Sequence, residues 1–447
     1  MQELHIFMYN KIFLIVFVYL QAQGMLSQTL QLEEIKNLAL KNRLEIREQT
    51  LQMELASRAN AKIKAQWLPQ IAASGDVRWN TQLQTSVIPV GEFGIPGLPT
   101  DAIQEVKFGL PYNNLFSLNA EQKIFDATRR IQEAINGENV RHAELNLWEQ
   151  EQSIKQHVTE QFFSAMYYRE HLLIAQYKVA RAEEKLLLVR AQVQQGTALP
   201  THLERAELDI RQARWAVERA EMEYLQAQKE LGYVTGQNQN ILPAESLTEL
   251  IERQKSWELQ AMSKPSAKTQ AEQLQITLNG LNAELEAKRA LPTIQAYANY
   301  ALLQLSDVPN PVAKNSWFPY NFIGVKAQWT IFDGHYRRKV REDYLSKQQI
   351  NQLKLQRQQR EQEQAIQKAR HQMALAALTI TEIQAQLAVE KNMLAEEQVR
   401  YNQGTSLLTV LDSVEQNVRQ SEDDFLQSVY DWLKALLQLR QAMGDWD

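Results

Sequence analysis

Residues with the chemistry for catalysis are present in this chain, Ser, His and Asp among them, but nothing groups them. The sequence has no cysteine, which removes thiol nucleophiles, disulfides and thiolate metal sites. Its seven histidines are scattered, with no two spaced three or four apart and no His-Glu-x-x-His. Gly91, Gly94 and Gly97 neither follow a strand nor open a helix, so a phosphate-binding loop is not expected. Neither a cofactor, a metal centre nor a catalytic residue is expected, and the chain reads as no enzyme. Two carboxylates do stand at matched spacing. Glu204 follows Gly196 by eight positions, and Asp412 follows Gly404 by eight. Around a symmetry axis such carboxylates would form rings that narrow a pore and favour cations. His202 stands two residues before Glu204.

The matched spacing belongs to a long internal repeat. At a constant shift of 208, Gly196-Thr197 falls on Gly404-Thr405, Leu203 on Leu411, Glu207 on Glu415, Arg211 on Arg419 and Gly236 on Gly444. Ile124-Phe125-Asp126 corresponds to Ile331-Phe332-Asp333 at a shift of 207, and Leu68-Pro69 to Leu291-Pro292 at 223. A repeat of this length is a whole structural unit used twice. The difference of 16 places extra residues in the first copy, in or near the Gly/Pro-rich stretch 89–99.

The elements that carry these residues follow from periodicity. Residues 29–67 read as helix and stop at Leu68-Pro69, because the residue before proline disfavours the helical region. Residues 70–80 alternate: Ile71, Ala73, Gly75, Val77 and Trp79 against Ala72, Ser74, Asp76, Arg78 and Asn80. A second alternating run covers 116–124, a third 294–302 and a fourth 323–331. Between Thr128 and Gln195 there is no proline and one glycine, so a helix there would span about 100 Å. That length needs a coiled-coil partner. Helices of the same kind are expected over 201–233, 336–403 and 409–443, with shorter ones over 265–289 and near 246–262. The domain division is 1–24, 25–69, 70–126, 127–236, 237–264, 265–292, 293–333 and 334–447.

Lys11 precedes nine apolar residues, Ile12 to Leu20, and Ala22-Gln23-Gly24 supplies small residues for cleavage. Residues 1–24 are therefore expected to be a secretory signal peptide, with Met1 or Met8 as the start. The 447 residues carry a net charge of −5, which argues against nucleic acid as a partner. The mean hydropathy is −0.44, and no other apolar run approaches the length of a membrane helix. Any membrane insertion must use strands.

Four strands of about ten residues can cross a bilayer when tilted. Their apolar faces, and aromatic residues near strand ends (Trp79, Phe116, Tyr300, Trp317, Phe318, Tyr320 and Phe322), fit lipid and an interfacial girdle. Glu121, Lys123, Lys326 and Gln328 are then expected to face a lumen, with Leu118, Val325, Ala327 and Trp329 facing lipid. Open sheet edges are not tolerated in lipid, so several copies must share a barrel. Two copies give eight strands and a filled interior, and three give twelve with a lumen. The other reading of these elements is a periplasmic coiled-coil scaffold or adaptor with a small β-domain.

The pattern resembles the TolC-like outer-membrane efflux proteins. The residues that carry the likeness are Leu38-Ala-Leu-Lys-Asn42-Arg-Leu44, the two Leu-Pro pairs and the two Ile-Phe-Asp triplets. Gln195-Gly-Thr197 and Tyr401-Asn-Gln-Gly-Thr405 complete it, leading into Leu203-Glu204 and Leu411-Asp412. The resemblance implies a mostly α fold with long antiparallel coiled-coil helices and four transmembrane strands per protomer. It implies a homotrimer whose twelve-stranded outer-membrane barrel continues as an α-helical tunnel in the periplasm. It further implies a passive exit duct for tripartite efflux or type I secretion. Its partners would be a periplasmic membrane-fusion adaptor, an inner-membrane transporter (RND, ABC or MFS type) and outer-membrane lipid. On this footing Gly196, Thr197, Gly404 and Thr405 are expected at the adaptor-contact turns. His202, Glu204, Tyr401 and Asp412 are expected at the periplasmic aperture. In the family a Tyr, an Asp and an Arg tie the closed mouth. Tyr401 matches the Tyr, while His202 stands at the Asp position and Ser406 at the Arg position.

Overall fold

A computed structural model describes residues 28–93, 96–97, 99, 101–237, 239–245, 264–310 and 317–444. The expected signal peptide and the helix near 246–262 lie outside the described residues. The chain forms two compact units, one of Glu54–Arg141 with Leu274–Asn351, the other of Met1–Met53, His142–Gln273 and Gln352–Asp447.

The strand-bearing unit contains β2 (Gln70–Trp79), β5 (Tyr112–Phe125), β7 (Thr293–Ser306) and β8 (Trp317–Gln328). They form one antiparallel sheet in the order β2-β5-β7-β8, so the two repeats meet at β5 and β7. A small hairpin, β3 (Thr85–Ile88) with β4 (Gln104–Lys107), stands in the first connection. That stretch reads as plain loop from sequence, because four-residue strands are too short to show a period. The fourth strand starts six residues earlier than the alternation suggests and ends three earlier. It ends at Gln328, and Trp329 instead donates its Nε1 proton to the Ala290 carbonyl at 2.9 Å. Trp329 is therefore a strand-end residue rather than a member of the apolar face.

Cross-strand register decides which residues share a face. Gln70 opposes Glu121, which opposes Tyr297, which opposes Gly324; Lys123 opposes Gln295, which opposes Lys326. Glu121, Lys123, Lys326 and Gln328 thus lie on one face, with Ser74, Asp76, Arg78, Asn119 and Asn299. Polar side chains bridge the strands there: Ser74 to Ser117 at 2.8 Å, Asn299 to Asn119 at 2.6 Å and Gln295 to Glu121 at 2.7 Å. The opposite face carries Ile71, Ala73, Val77, Leu118, Ala120, Ala296, Ala298, Ile323, Val325 and Ala327. Four of the seven girdle candidates (Trp79, Phe116, Tyr300 and Trp317) belong to this apolar face. Phe318, Tyr320 and Phe322 do not: register puts them on the polar face, where Phe322 meets Tyr297 edge-on at 5.8 Å. Counting aromatics near strand ends could not separate the faces, because parity is fixed by pairing and not by position along a strand.

The two Ile-Phe-Asp triplets close the strand-to-helix junctions. Asp126 accepts from the Thr128 amide at 2.9 Å and its hydroxyl at 2.6 Å, just before α3 (Arg129–Gln194). Asp333 accepts from the Arg337 amide at 3.1 Å and from Arg337 Nε at 2.5 Å in the first turn of α6 (Tyr336–Asn402). Those bonds from Arg337 hold the Asp333 carboxyl below the usual carboxylate range. Each aspartate satisfies amides that a helix start leaves without intrahelical partners.

The second unit is helical. Residues 29–67 are not one helix. β1 (Gln28–Leu30) pairs in parallel with β6 (Ile241–Pro243), and α1 (Leu32–Asn42) is separated from α2 (Leu44–Ala65) by Arg43. Arg43 is extended at φ −68°, ψ 128°, while its amide still donates to the Ala39 carbonyl at 2.9 Å. Three-residue strands show no period, which is why the sequence hid them. The core gathers Leu32, Ile35 and Ala39 from α1; Ile154, Val158, Phe162 and Met166 from α3; Leu231 from α4 (Pro200–Val234); and Val429, Leu433 and Leu436 from α7 (Leu408–Met443). Steps of three and four along α3 and α7 put these side chains on one stripe of each helix. α5 (Ala267–Lys288) precedes β7. Among the described residues no helix is long and apolar enough to cross a membrane.

Candidate functional site

The candidate site lies at the tips of the two long helical hairpins. α3 is followed by Gln-Gly-Thr-Ala-Leu (195–199), and α6 by Gln-Gly-Thr-Ser-Leu (403–407). The tips make the same bonds. The Thr197 amide donates to the Gln192 carbonyl at 2.9 Å and the Gly196 amide to Val193 at 3.1 Å; Thr405 and Gly404 repeat this toward Arg400 (3.0 Å) and Tyr401 (2.9 Å). Both threonine hydroxyls add a 3.0 Å bond to the same carbonyl oxygens. The bonds satisfy helix-end carbonyls and need a left-handed residue at the glycine. Gly196 has φ +70° and Gly404 φ +72°, and a Cβ at either would meet nothing within 4 Å. Conformation, not space, requires glycine. All four turn residues are exposed.

Above the turns the hairpins are tied together by polar contacts. Tyr401 of α6 donates to Gln192 Oε1 of α3 at 2.8 Å. Lys185 of α3 bonds Asp209 of α4 at 3.1 Å and also pairs with Asp412 of α7. Further up, Lys178 of α3 pairs with Asp423 of α7 at 2.7 Å, and Lys391 of α6 with Glu422 of α7 at 3.1 Å. His202, Arg205, Lys185 and Asp412 line a cavity of about 240 Å³. His202 Nδ1 is buried there with no hydrogen-bond partner.

Of the four aperture residues named from sequence, His202 and Asp412 line this cavity, and Glu204 and Tyr401 are not among its lining residues. Tyr401 bonds Gln192 and not His202. Ser406 donates to Glu397, whose carboxylate lies 3.7 Å from Arg400. Glu204 is exposed, as a ring carboxylate needs to be, whereas Asp412 is half-buried against Lys185. The residues that sequence reasoning missed are Lys185 and Gln192. The repeat gave no cue to Lys185, since its counterpart at a shift of 208 is Met393. Among the described residues no cluster of His, Cys, Asp or Glu is suited to hold a metal.

Residues 35–237 match the family model described as outer membrane efflux protein. Solved structures share the fold across nearly the whole chain. CusC, in structures describing folding and transmembrane channel formation, superposes with a TM-score of 0.72 at 16% identity, over 94% of this chain and 94% of that chain. The open state of the Neisseria gonorrhoeae MtrE outer membrane channel gives 0.68 at 16%, over 93% and 89%. The Campylobacter jejuni CmeC outer membrane channel gives 0.66 at 15%, over 92% and 85%. No curated protein matches the chain by sequence. The family match is thus confined to residues 35–237, while the fold is shared with solved outer-membrane channels over most of the chain.

Proposed function

We propose that three copies of this chain close one twelve-stranded barrel and act together as a passive duct, docking through the hairpin tips onto a periplasmic adaptor served by an inner-membrane transporter. The observation that carries this reading is the four-stranded sheet. It has one polar and one apolar face, and its outer strands β2 and β8 have no strand partner on their free edges among the described residues. In lipid such edges must pair, and pairing between copies is the way four strands per chain become a closed barrel. Glu121, Lys123, Lys326 and Gln328 then line the lumen, and Leu118, Val325 and Ala327 meet lipid. Gly196, Thr197, Gly404 and Thr405 form the exposed turns that an adaptor grips. His202, Glu204, Tyr401 and Asp412 border the aperture.

The natural absence of cysteine makes the test direct. Single cysteines are placed at Lys326, Gln328, Val325 and Ala327 in outer membranes and exposed to a charged, water-soluble thiol reagent. Labelling at Lys326 and Gln328, with Val325 and Ala327 protected until detergent is added, is the expected result. Labelling at all four positions would favour the periplasmic scaffold, whose strands never meet lipid.

A further inference from the structure

Lys185 stands between two carboxylates above the hairpin turns. It lies on α3, eleven residues before Gly196, and its side chain is 13% exposed. Its ammonium contacts Asp209 on α4 and Asp412 on α7, whose side chains are 26% and 16% exposed. Arg205 lines the cavity beside Asp412 and adds a second positive charge; His202 lines it too. The first repeat's counterpart of Asp412 is Glu204, which is exposed. The repeat counterparts of Lys185 and Asp209 are Met393 and Asn417, so this compensation exists once per chain. Two carboxylates at matched positions thus differ in charge environment, one open to water and one paired in a water-poor site where charge–charge attraction is less screened.

We propose that Lys185 sets the ion preference of the aperture by masking Asp412, leaving Glu204 as its open carboxylate. The proposal rests on the reading of the hairpin tips as the mouth of a channel. In a threefold assembly, removing the lysine charge would expose a carboxylate on every copy, and a trivalent cation is the probe most sensitive to such a ring.

The experiment is single-channel recording in planar bilayers with a trivalent cobalt hexammine ion added on the hairpin side. Lys185→Gln is expected to be blocked at a concentration about 10-fold lower than wild type, with cation selectivity raised, because one unmasked charge per copy strengthens binding of a trivalent ion. Lys185→Arg should behave as wild type, and Lys185→Gln combined with Asp412→Asn should return the block to the wild-type range. If Lys185→Gln is blocked like wild type, or if Asp412→Asn alone abolishes the block, the masking is overturned. Should Lys185→Gln fail to assemble, Asp412→Asn decides by itself: retained block supports masking and lost block refutes it. A wild-type protein that conducts nothing would remove the channel reading itself, whereas a conducting wild type with indifferent variants removes only the role of Lys185.

Discussion

Ile323→Arg is expected to destabilise the membrane-inserted protein by about 2–4 kcal/mol, while the same change at Ala327 costs about 0–1 kcal/mol. Both residues belong to the apolar face of β8, opposite Ala298 and Ile294 respectively. Ile323 is 88% exposed and stands at the middle of the strand, where a guanidinium would sit in hydrocarbon. Ala327 is the penultimate residue of β8, so its arginine reaches the interface and stays hydrated. Lys326, between them in sequence, faces the other way and is expected to accept arginine at no measurable cost. Urea titration of the protein refolded into lipid vesicles gives the three values. Equal costs at Ile323 and Ala327 would contradict their different depths along β8, and a large cost at Lys326 would contradict the assignment of the faces.

Phe162→Ala should cost about 3–5 kcal/mol, read as a lowered midpoint of the helical signal. Phe162 is fully buried and packs among Leu32, Val158, Met166, Leu231 and Leu433, drawn from four helices. Alanine is the best helix former, so the substitution does not weaken α3 locally, and the loss reports the cavity it leaves. The hairpin tips lie outside this cluster and keep their bonds, so ion block at the aperture is expected to remain near wild type in whatever protein stays folded. A midpoint unchanged within about 0.5 kcal/mol would mean the cluster does not hold these helices together.

Much of this architecture was legible in the sequence, for identifiable reasons. Helices of 66 and 67 residues with hardly a glycine or proline between them could not be missed. The glycine turns announced themselves by repetition, and their bonds prove as alike as their sequences. The strand faces followed from alternation, although only pairing could show that Phe318, Tyr320 and Phe322 share the polar face. The sequence was silent where an element is short or a contact is distant. β1 and β6 have three residues each, and they meet 213 positions apart through the Gln28–Ile241 register. Lys185 and Asp412 are separated by the whole second strand pair, and nothing local to either marks the other. Resemblance to the family placed His202 and Ser406 where its Asp and Arg would stand, while packing sent Ser406 to Glu397 and tied Tyr401 to Gln192.

In the proposed barrel, β2 of one copy pairs with β8 of the next. Its most direct test places one cysteine in β2, at Ser74, and a second at successive polar-face positions of β8: Tyr320, Phe322, Gly324 and Lys326. The background has no native thiol. Oxidation in native outer membranes followed by denaturing electrophoresis reads the outcome. Covalent trimers are expected from one of these pairs or two neighbouring ones, because a strand ladder has one register, and no trimer from either single cysteine. Monomers at every pairing, or a ladder of covalent dimers only, would contradict the barrel.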